Sequence, residues 1–486
     1  MEPVMSHGNP PESRHDIFSL EESASGPVPV QAPPRSAARR RWLGAANAAA
    51  AGLTFSTLAR SQQPLQSSIA STAQSPLQGS RFADLTCRVT TGRLDALVAA
   101  AFPAFNRPVI LPPFDASKHG ARFDVELHRL VAPFTVPETG EVVTVSGLLA
   151  IPVGTRGPIP VVSVQHGTMV TVDQTPSSLL ALADPAYVIP EGSDALEVML
   201  NVHRFAGQGM AVIAADYVGK GPFRNGRGEG YGVKDVTVQT CLRMLEAGLA
   251  TMASLGLQSG PLFLAGWSQG GLNTQWLHQE LRRRKVAVVG TSVTSPFNEL
   301  SETMRFWCGA QTYPPPEGQS SFPPVVPWVS ICLVILMGSY ELHYGLKGLM
   351  RSAVAPKFHD LAATFWNTYD LRLWSGDSAP TGATLLVPGF FDRFTHDLNS
   401  AFLRQLAANT ASYWSYDSPI RFFLGMADEA LHPTAARRGI VAGGAKATEV
   451  PIREGSHRGN FLASLFGDAT TTAGYGNSVD WFKSMV

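Results

Sequence analysis

Short apolar runs recur along the chain, each closed by a glycine or a polar turn, and each long enough for one buried strand. Residues 261–265, Pro-Leu-Phe-Leu-Ala, are such a run. The stretch that follows, 271–284, contains no proline and carries Leu272, Trp276, Leu277 and Leu281 at near-helical spacing, which predicts a helix. Further strand-like runs stand at 146–152, 160–164, 286–293, 419–425 and 448–452.

One apolar stretch has a different character. Residues 318–340 hold 23 positions without a charge. Prolines at 323, 324 and 327 cut the continuous helix to about 14 residues, below the roughly 20 that a bilayer requires. The stretch therefore predicts an apolar helix of a cap, with no stable transmembrane anchor. The first 80 residues differ again. Residues 1–34 are rich in Pro, Ser, Glu and Gly and lack periodicity, which suits disorder. Arg39, Arg40 and Arg41 then precede a mildly apolar, Ala-rich run over 45–58 and a polar stretch over 61–80. This order resembles a twin-arginine export signal, so a periplasmic or secreted location is expected, the alternative being a basic cluster on a cytoplasmic or organellar protein.

Composition narrows the class. Lys plus Arg equal Asp plus Glu at 38 each and charged residues make up 16%, so the chain has no electrostatic footprint for nucleic acid. Four cysteines, Cys87, Cys241, Cys308 and Cys332, are widely spaced without paired histidines, which argues against a zinc site and leaves one or two disulfides open. Substrate class, oligomeric state and any disulfide pairing stay unassigned.

The chemistry centres on Gly266-Trp267-Ser268-Gln269-Gly270, which falls between the predicted strand at 261–265 and the predicted helix at 271–284. A serine held on a sharp strand-to-helix turn is a candidate nucleophile, and the flanking glycines make the room such a turn needs. A serine hydroxyl attacks poorly unless a base takes its proton. On sheets that carry this turn, the partners follow in the order serine, acid, histidine. Asp428, in the loop after the 419–425 run, is the first acid candidate, with Glu429 and Asp392 behind it; a helix cap or a solvated loop acid is the plain alternative. Of the two histidines beyond it, His432 shares the acid's loop, whereas His457 follows the next strand and is the better base. An oxyanion hole requires two N–H donors. Gln269 supplies one, and Thr168, after the 160–164 run and His166-Gly167, supplies the other, with Met169 next. His166 is expected to brace that loop.

Ser163-Val164-Gln165-His166-Gly167-Thr168, Ala215-Asp216-Tyr217-Val218-Gly219, the nucleophile pentapeptide and Gly455-Ser456-His457 together resemble the α/β-hydrolase superfamily, particularly its secretory-lipase-like esterases. The resemblance spans about 120–486. It implies an α/β-hydrolase fold, a mostly parallel central sheet flanked by helices with a helical cap insertion. It also implies hydrolysis of small-molecule or lipid carboxylic esters without a metal or organic cofactor. The expected division is a disordered n-region and export-like segment over 1–60, a polar linker over 61–90, a first core part over 91–295, a cap over 296–383 and a second core part over 384–486. Trp267 stands where the family more often has tyrosine, and Glu-Ala-Leu-His follows Asp428 where Val-Pro is frequent. An acyltransferase, a proline-directed peptidase or a non-catalytic interaction protein could use the same fold. The glycine-rich run 219–232 reads as a loop near the site rim. Phe306, Trp307, Tyr313, Phe322, Trp328, Tyr340, Phe365 and Trp366 make the cap aromatic, either to line a pocket or to fill the cap's core.

Overall fold

The computed structural model describes residues 82–190, 194–375, 379–391 and 400–486. The export-signal segment and the fallback acid Asp392 lie outside the described residues. Among the described residues one nine-stranded sheet forms the centre, in the order β1-β2-β3-β5-β4-β6-β7-β8-β9. Its strands are β1 (Ala83–Val89), β2 (Val125–Thr135), β3 (Val142–Pro152), β4 (Ile159–Gln165), β5 (Ala211–Ala215), β6 (Ser259–Trp267), β7 (Gly290–Thr294), β8 (Ile420–Gly425) and β9 (Ala447–Ile452). From β5 to β9 every pairing is parallel, while β1, β2 and β3 join antiparallel at one edge.

β5, β4, β6 and β8 are largely apolar because helices cover both faces, whereas β7, Gly-Thr-Ser-Val-Thr, is mostly polar yet buried throughout. β5, Ala-Val-Ile-Ala-Ala, is buried throughout. Alternation along each strand then divides the side chains between two cores. Leu149, Ile213 and Leu264 join the core that holds α3 (Lys234–Ser254) and α4 (Gln269–Arg283). Leu148, Val212 and Phe263 join the core that holds α1 (Thr91–Phe105), α2 (Ala195–Phe205) and α10 (His457–Phe466).

Residues 83–89, assigned from the sequence to the end of a polar linker, are instead the edge strand β1. The run Ala-Asp-Leu-Thr-Cys-Arg-Val is only partly apolar, and its extended form is secured by antiparallel pairing with β2, a long-range contact that local pattern does not announce. All four cysteines are free thiols.

Between β7 and β8 the described chain contains helices and no named strand. They include α5 (Leu300–Trp307), α6 (Val329–Tyr344), α7 (His359–Thr368) and α8 (Ala401–Ala408), and α9 (Pro433–Gly443) follows β8. The sheet resumes at Ile420, and the segment 384–419, assigned above to the second core part, holds α8. α6 starts directly after Pro327 and Trp328, spans 16 residues and is buried from Val329 to Tyr340. No helix of the described residues is long and apolar enough to cross a membrane.

Two adjacent hydroxyls of α6 bond the loop after β5. Ser339 Oγ donates to Glu229 O and accepts from Tyr231 N, and Tyr340 Oη donates to Gly232 O. Buried hydroxyls satisfied in this way tie the insertion to the core without an exposed polar seam. The Trp366 indole completes the joint. It fills a slot between Gly228 of the loop and Gly338 of α6, where a Cβ on either glycine would run into the ring.

Candidate active site

Ser268 stands at the break between β6 and α4 with φ +59° and ψ −122°, a backbone state that a non-glycine residue adopts only under constraint. Its N–H donates to Thr294 O on the neighbouring strand at 2.9 Å, which helps hold the turn. The glycines are required by space. A Cβ at Gly266 would collide with Gly270 O and the Thr274 hydroxyl, and one at Gly270 would collide with Gln165 O.

The loop after β4 approaches the same turn. A Cβ on Gly167 would lie 3.4 Å from Ser268 Cβ and 3.2 Å from Trp267 O. The loop is held from several directions. Gly167 N–H donates to both oxygens of Glu197 on α2, Val170 N–H donates to Asp194, and buried Lys220 donates to Met169 O and Thr171 O. Lys220 is also paired with Glu229 at 2.9 Å. His166 braces the loop as expected, with Nδ1 2.8 Å from Gly167 O and its ring stacked on Tyr217 at 4.0 Å. Burial pushes this imidazole down to about 4, so it is neutral at physiological pH. Thr168 Oγ1 meets Tyr231 Oη at 2.8 Å. The backbone N–H groups of Thr168, Met169 and Gln269 have no acceptor among the described residues. Gln269 opens α4, and the first N–H groups of a helix have no partner within it.

The acid and base come together at the ends of β8 and β9. His457 Nδ1 is 3.0 Å from each oxygen of Asp428. Asp428 Oδ1 also accepts from Ala430 N and Leu431 N at 3.0 and 2.9 Å, so its carboxylate is fixed by backbone donors. Glu429 takes a different post. Its Oε2 accepts the backbone N–H of His457 at 3.0 Å and makes no hydrogen bond to the ring. Burial first, and the Asp428 charge second, push its carboxyl above the usual range.

His457 reaches the nucleophile's neighbour directly. Trp267 Nε1 donates to His457 O at 3.1 Å, and the two rings lie 4.8 Å apart. Ser268, Asp428 and His457 are all buried. No hydrogen bond joins the Ser268 hydroxyl to His457 among the described residues; such bonds often form fully only once substrate is bound. His432 stands away from this group, capping α9 with its ring against Tyr313 and Phe322 at 4.8 and 4.3 Å.

Of the cap aromatics named above, Trp328 approaches the base, its ring 6.1 Å from that of His457. Phe306, Trp307, Tyr340 and Phe365 are buried in the packing of the insertion. Sequence reasoning missed Glu197 and Lys220. Each carries a weak signal: Glu197 is an acid amid apolar residues, and Lys220 is a lone charge between two glycines.

No protein-family model matches the chain, and no curated protein matches it by sequence. Solved structures do. A Legionella pneumophila protein assigned as a hydrolase shares 16% identity over 83% of this chain and 98% of its own, with a TM-score of 0.64. The rice cell wall degrading esterase LipA from Xanthomonas oryzae shares 19% identity over 82% of this chain and 94% of its own, with a TM-score of 0.59. Candida antarctica lipase A in its closed state shares 12% identity over 82% of this chain and 81% of its own, with a TM-score of 0.53. The chain has the fold of these α/β-hydrolases, as its motifs led one to expect.

Proposed function

We propose that this α/β-hydrolase-fold protein is a serine hydrolase that cleaves carboxylic esters through an acyl-enzyme on Ser268. The observation that carries the reading is the conjunction at the carboxyl ends of the strands. A serine in strained backbone geometry stands against Gly167, whose loop has N–H groups without acceptors among the described residues, and its neighbour Trp267 meets a histidine gripped at 3.0 Å by a buried carboxylate.

In this reading Ser268 Oγ attacks the ester carbonyl carbon as His457 Nε2 takes the hydroxyl proton. Asp428 holds the imidazole by its Nδ1–H and stabilises the imidazolium that forms. The carbonyl oxygen becomes an oxyanion that accepts from the N–H groups of Gln269 and Thr168, each donor contributing about 10² to 10³ in rate. The C–O bond to the leaving group then breaks, and His457 returns its proton to the departing alcohol. Water attacks the acyl-enzyme by the same route, leaving the carboxylic acid and the free serine. The chemistry is complete with protein groups and water.

Trp328 beside His457, and the apolar α6 behind it, favour esters with an apolar group. Export is part of the proposal, supported by the arginines at 39–41 and the Ala-rich run behind them, and cell fractionation tests it. The direct test of the chemistry is a fluorophosphonate probe. Wild type should be labelled and Ser268→Ala should not; an unlabelled wild type ends the hydrolase reading.

A further inference from the structure

The mechanism leaves unused one buried carboxyl that lies close to the nucleophile. Glu197, in the first turn of α2, is 3% exposed. Its Oε1 and Oε2 stand 3.0 and 2.9 Å from a single donor, the N–H of Gly167. A Cβ on Gly167 would lie 3.1 Å from Glu197 Oε2 and 3.4 Å from Ser268 Cβ, so carboxyl and nucleophile flank the same residue.

Among the described residues Glu197 meets no countercharge. It has no ion pair among them, and the titratable groups that bear on it are Asp194 at the start of its own helix and Tyr217 after β5. Lys220, which donates to this loop, is committed to Glu229, Met169 O and Thr171 O. His166, on the loop itself, is neutral at physiological pH. A carboxylate buried without a cation is costly, and a second carboxyl nearby raises the cost. Burial is the main cause that lifts this carboxyl well above the usual range; the Gly167 hydrogen bond opposes it and Asp194 adds to it.

Function points the same way. Thr168, the next residue, carries one of the N–H groups assigned to the oxyanion, and a fixed negative charge behind it would oppose the charge that develops there. An uncharged carboxyl still accepts the Gly167 N–H through its carbonyl oxygen and adds no opposing field.

We propose that Glu197 is a positioning residue that holds the Gly167–Thr168 peptide against the nucleophile, and that it does so as an uncharged carboxylic acid. Its effect on rate rests on the hydrolase reading above, whereas the state of the carboxyl does not.

Infrared spectra of wild type and Glu197→Gln at neutral pH test the carboxyl directly. The C=O band of a protonated carboxyl should be present in wild type and missing in the variant; if no such band is lost, the proposal is overturned whatever the activity. Kinetics on a short aryl ester test the positioning. Glu197→Gln should keep kcat within about threefold, because its amide oxygen accepts the same N–H. Glu197→Ala should lose about 10²-fold in kcat with KM nearly unchanged. A kcat loss in Glu197→Gln as deep as in Glu197→Ala, a marked gain in Glu197→Gln, or an alanine variant matching wild type overturns it. Should Glu197→Ala fail to fold, the isosteric variant and the infrared band decide. A wild type that neither hydrolyses the ester nor accepts the fluorophosphonate probe sinks the hydrolase reading instead, and the band still judges the carboxyl.

Discussion

On the sheet side of the site, the functional side chains are fixed by backbone hydrogen bonds. Asp428 is held by Ala430 N and Leu431 N, His457 by Glu429 at its N–H and by Trp267 at its carbonyl, and Gly167 by Glu197. On the insertion side, contact with the same group is made by a ring, Trp328 beside His457, and the insertion's interior is filled by apolar and aromatic side chains. Directional bonds fix an atom to a few tenths of an ångström, whereas ring packing fixes a volume. The sheet side is therefore suited to set the chemistry and the insertion to set what fits.

That contrast can be broken at the acid pair. Asp428→Asn should lower kcat by about 10⁴, because the ring loses the carboxylate that orients it and stabilises its cation. Glu429→Gln should cost no more than about tenfold, since an amide oxygen can still accept the His457 N–H. Equal losses in the two variants would erase the distinction drawn between ring and backbone partners.

Acid provides a second test. His166, His203 and His278 are buried with imidazoles pushed down to about 4, chiefly by desolvation. A group whose folded pKa lies below its unfolded value contributes stability above the unfolded pKa and loses it as pH falls through the folded one. These imidazoles by themselves therefore lower Tm as pH falls from about 6.5 toward about 4. Three buried carboxyls work in the opposite sense. Burial raises Asp194 to about 6 and lifts Glu197 and Glu429 as well, so their contributions grow as pH falls and offset the histidines. The histidine share is the part of the slope that His278→Gln removes: the variant's Tm should fall less on acidification than that of wild type, and an unchanged slope would mean that this imidazole is not held neutral.

The insertion can be strained by itself. Gly338→Ala should destabilise the protein by about 1–3 kcal/mol, because the new methyl meets the Trp366 ring, and thermal denaturation would register it. The smallest effect belongs to Trp328→Ala. With Trp328 36% exposed, stability should move by no more than about 1 kcal/mol, while KM for apolar aryl esters rises a few-fold at nearly constant kcat. A fall in kcat comparable to that of Asp428→Asn would place the ring in the chemistry, not in selection.

Much of the sheet side was legible in the sequence. Most of its parallel strands are short apolar runs bounded by turns, and Ser268, Asp428 and His457 fall within a few residues of the ends of three of them, where parallel strands deliver residues to one end of the sheet. Asp428 and Glu429 are adjacent, yet one meets the ring and the other the backbone, a difference that a linear reading lacks. β1 was hidden because its pairing with β2 is long-range. Glu197 was hidden for a third reason. Its partner is a main-chain N–H thirty residues away, and a peptide group has no signature in a sequence.

The indole of Trp366 sits like a shim between the glycine-rich loop after β5 and the long apolar helix. Its thickness sets how near those two elements can come, and the hydroxyl bonds of Ser339 and Tyr340 set how far they can part. Any rocking of the insertion must then drag residues 228–232 along with it, so helix and loop would move as one jointed piece and not as a flap swinging on a still frame.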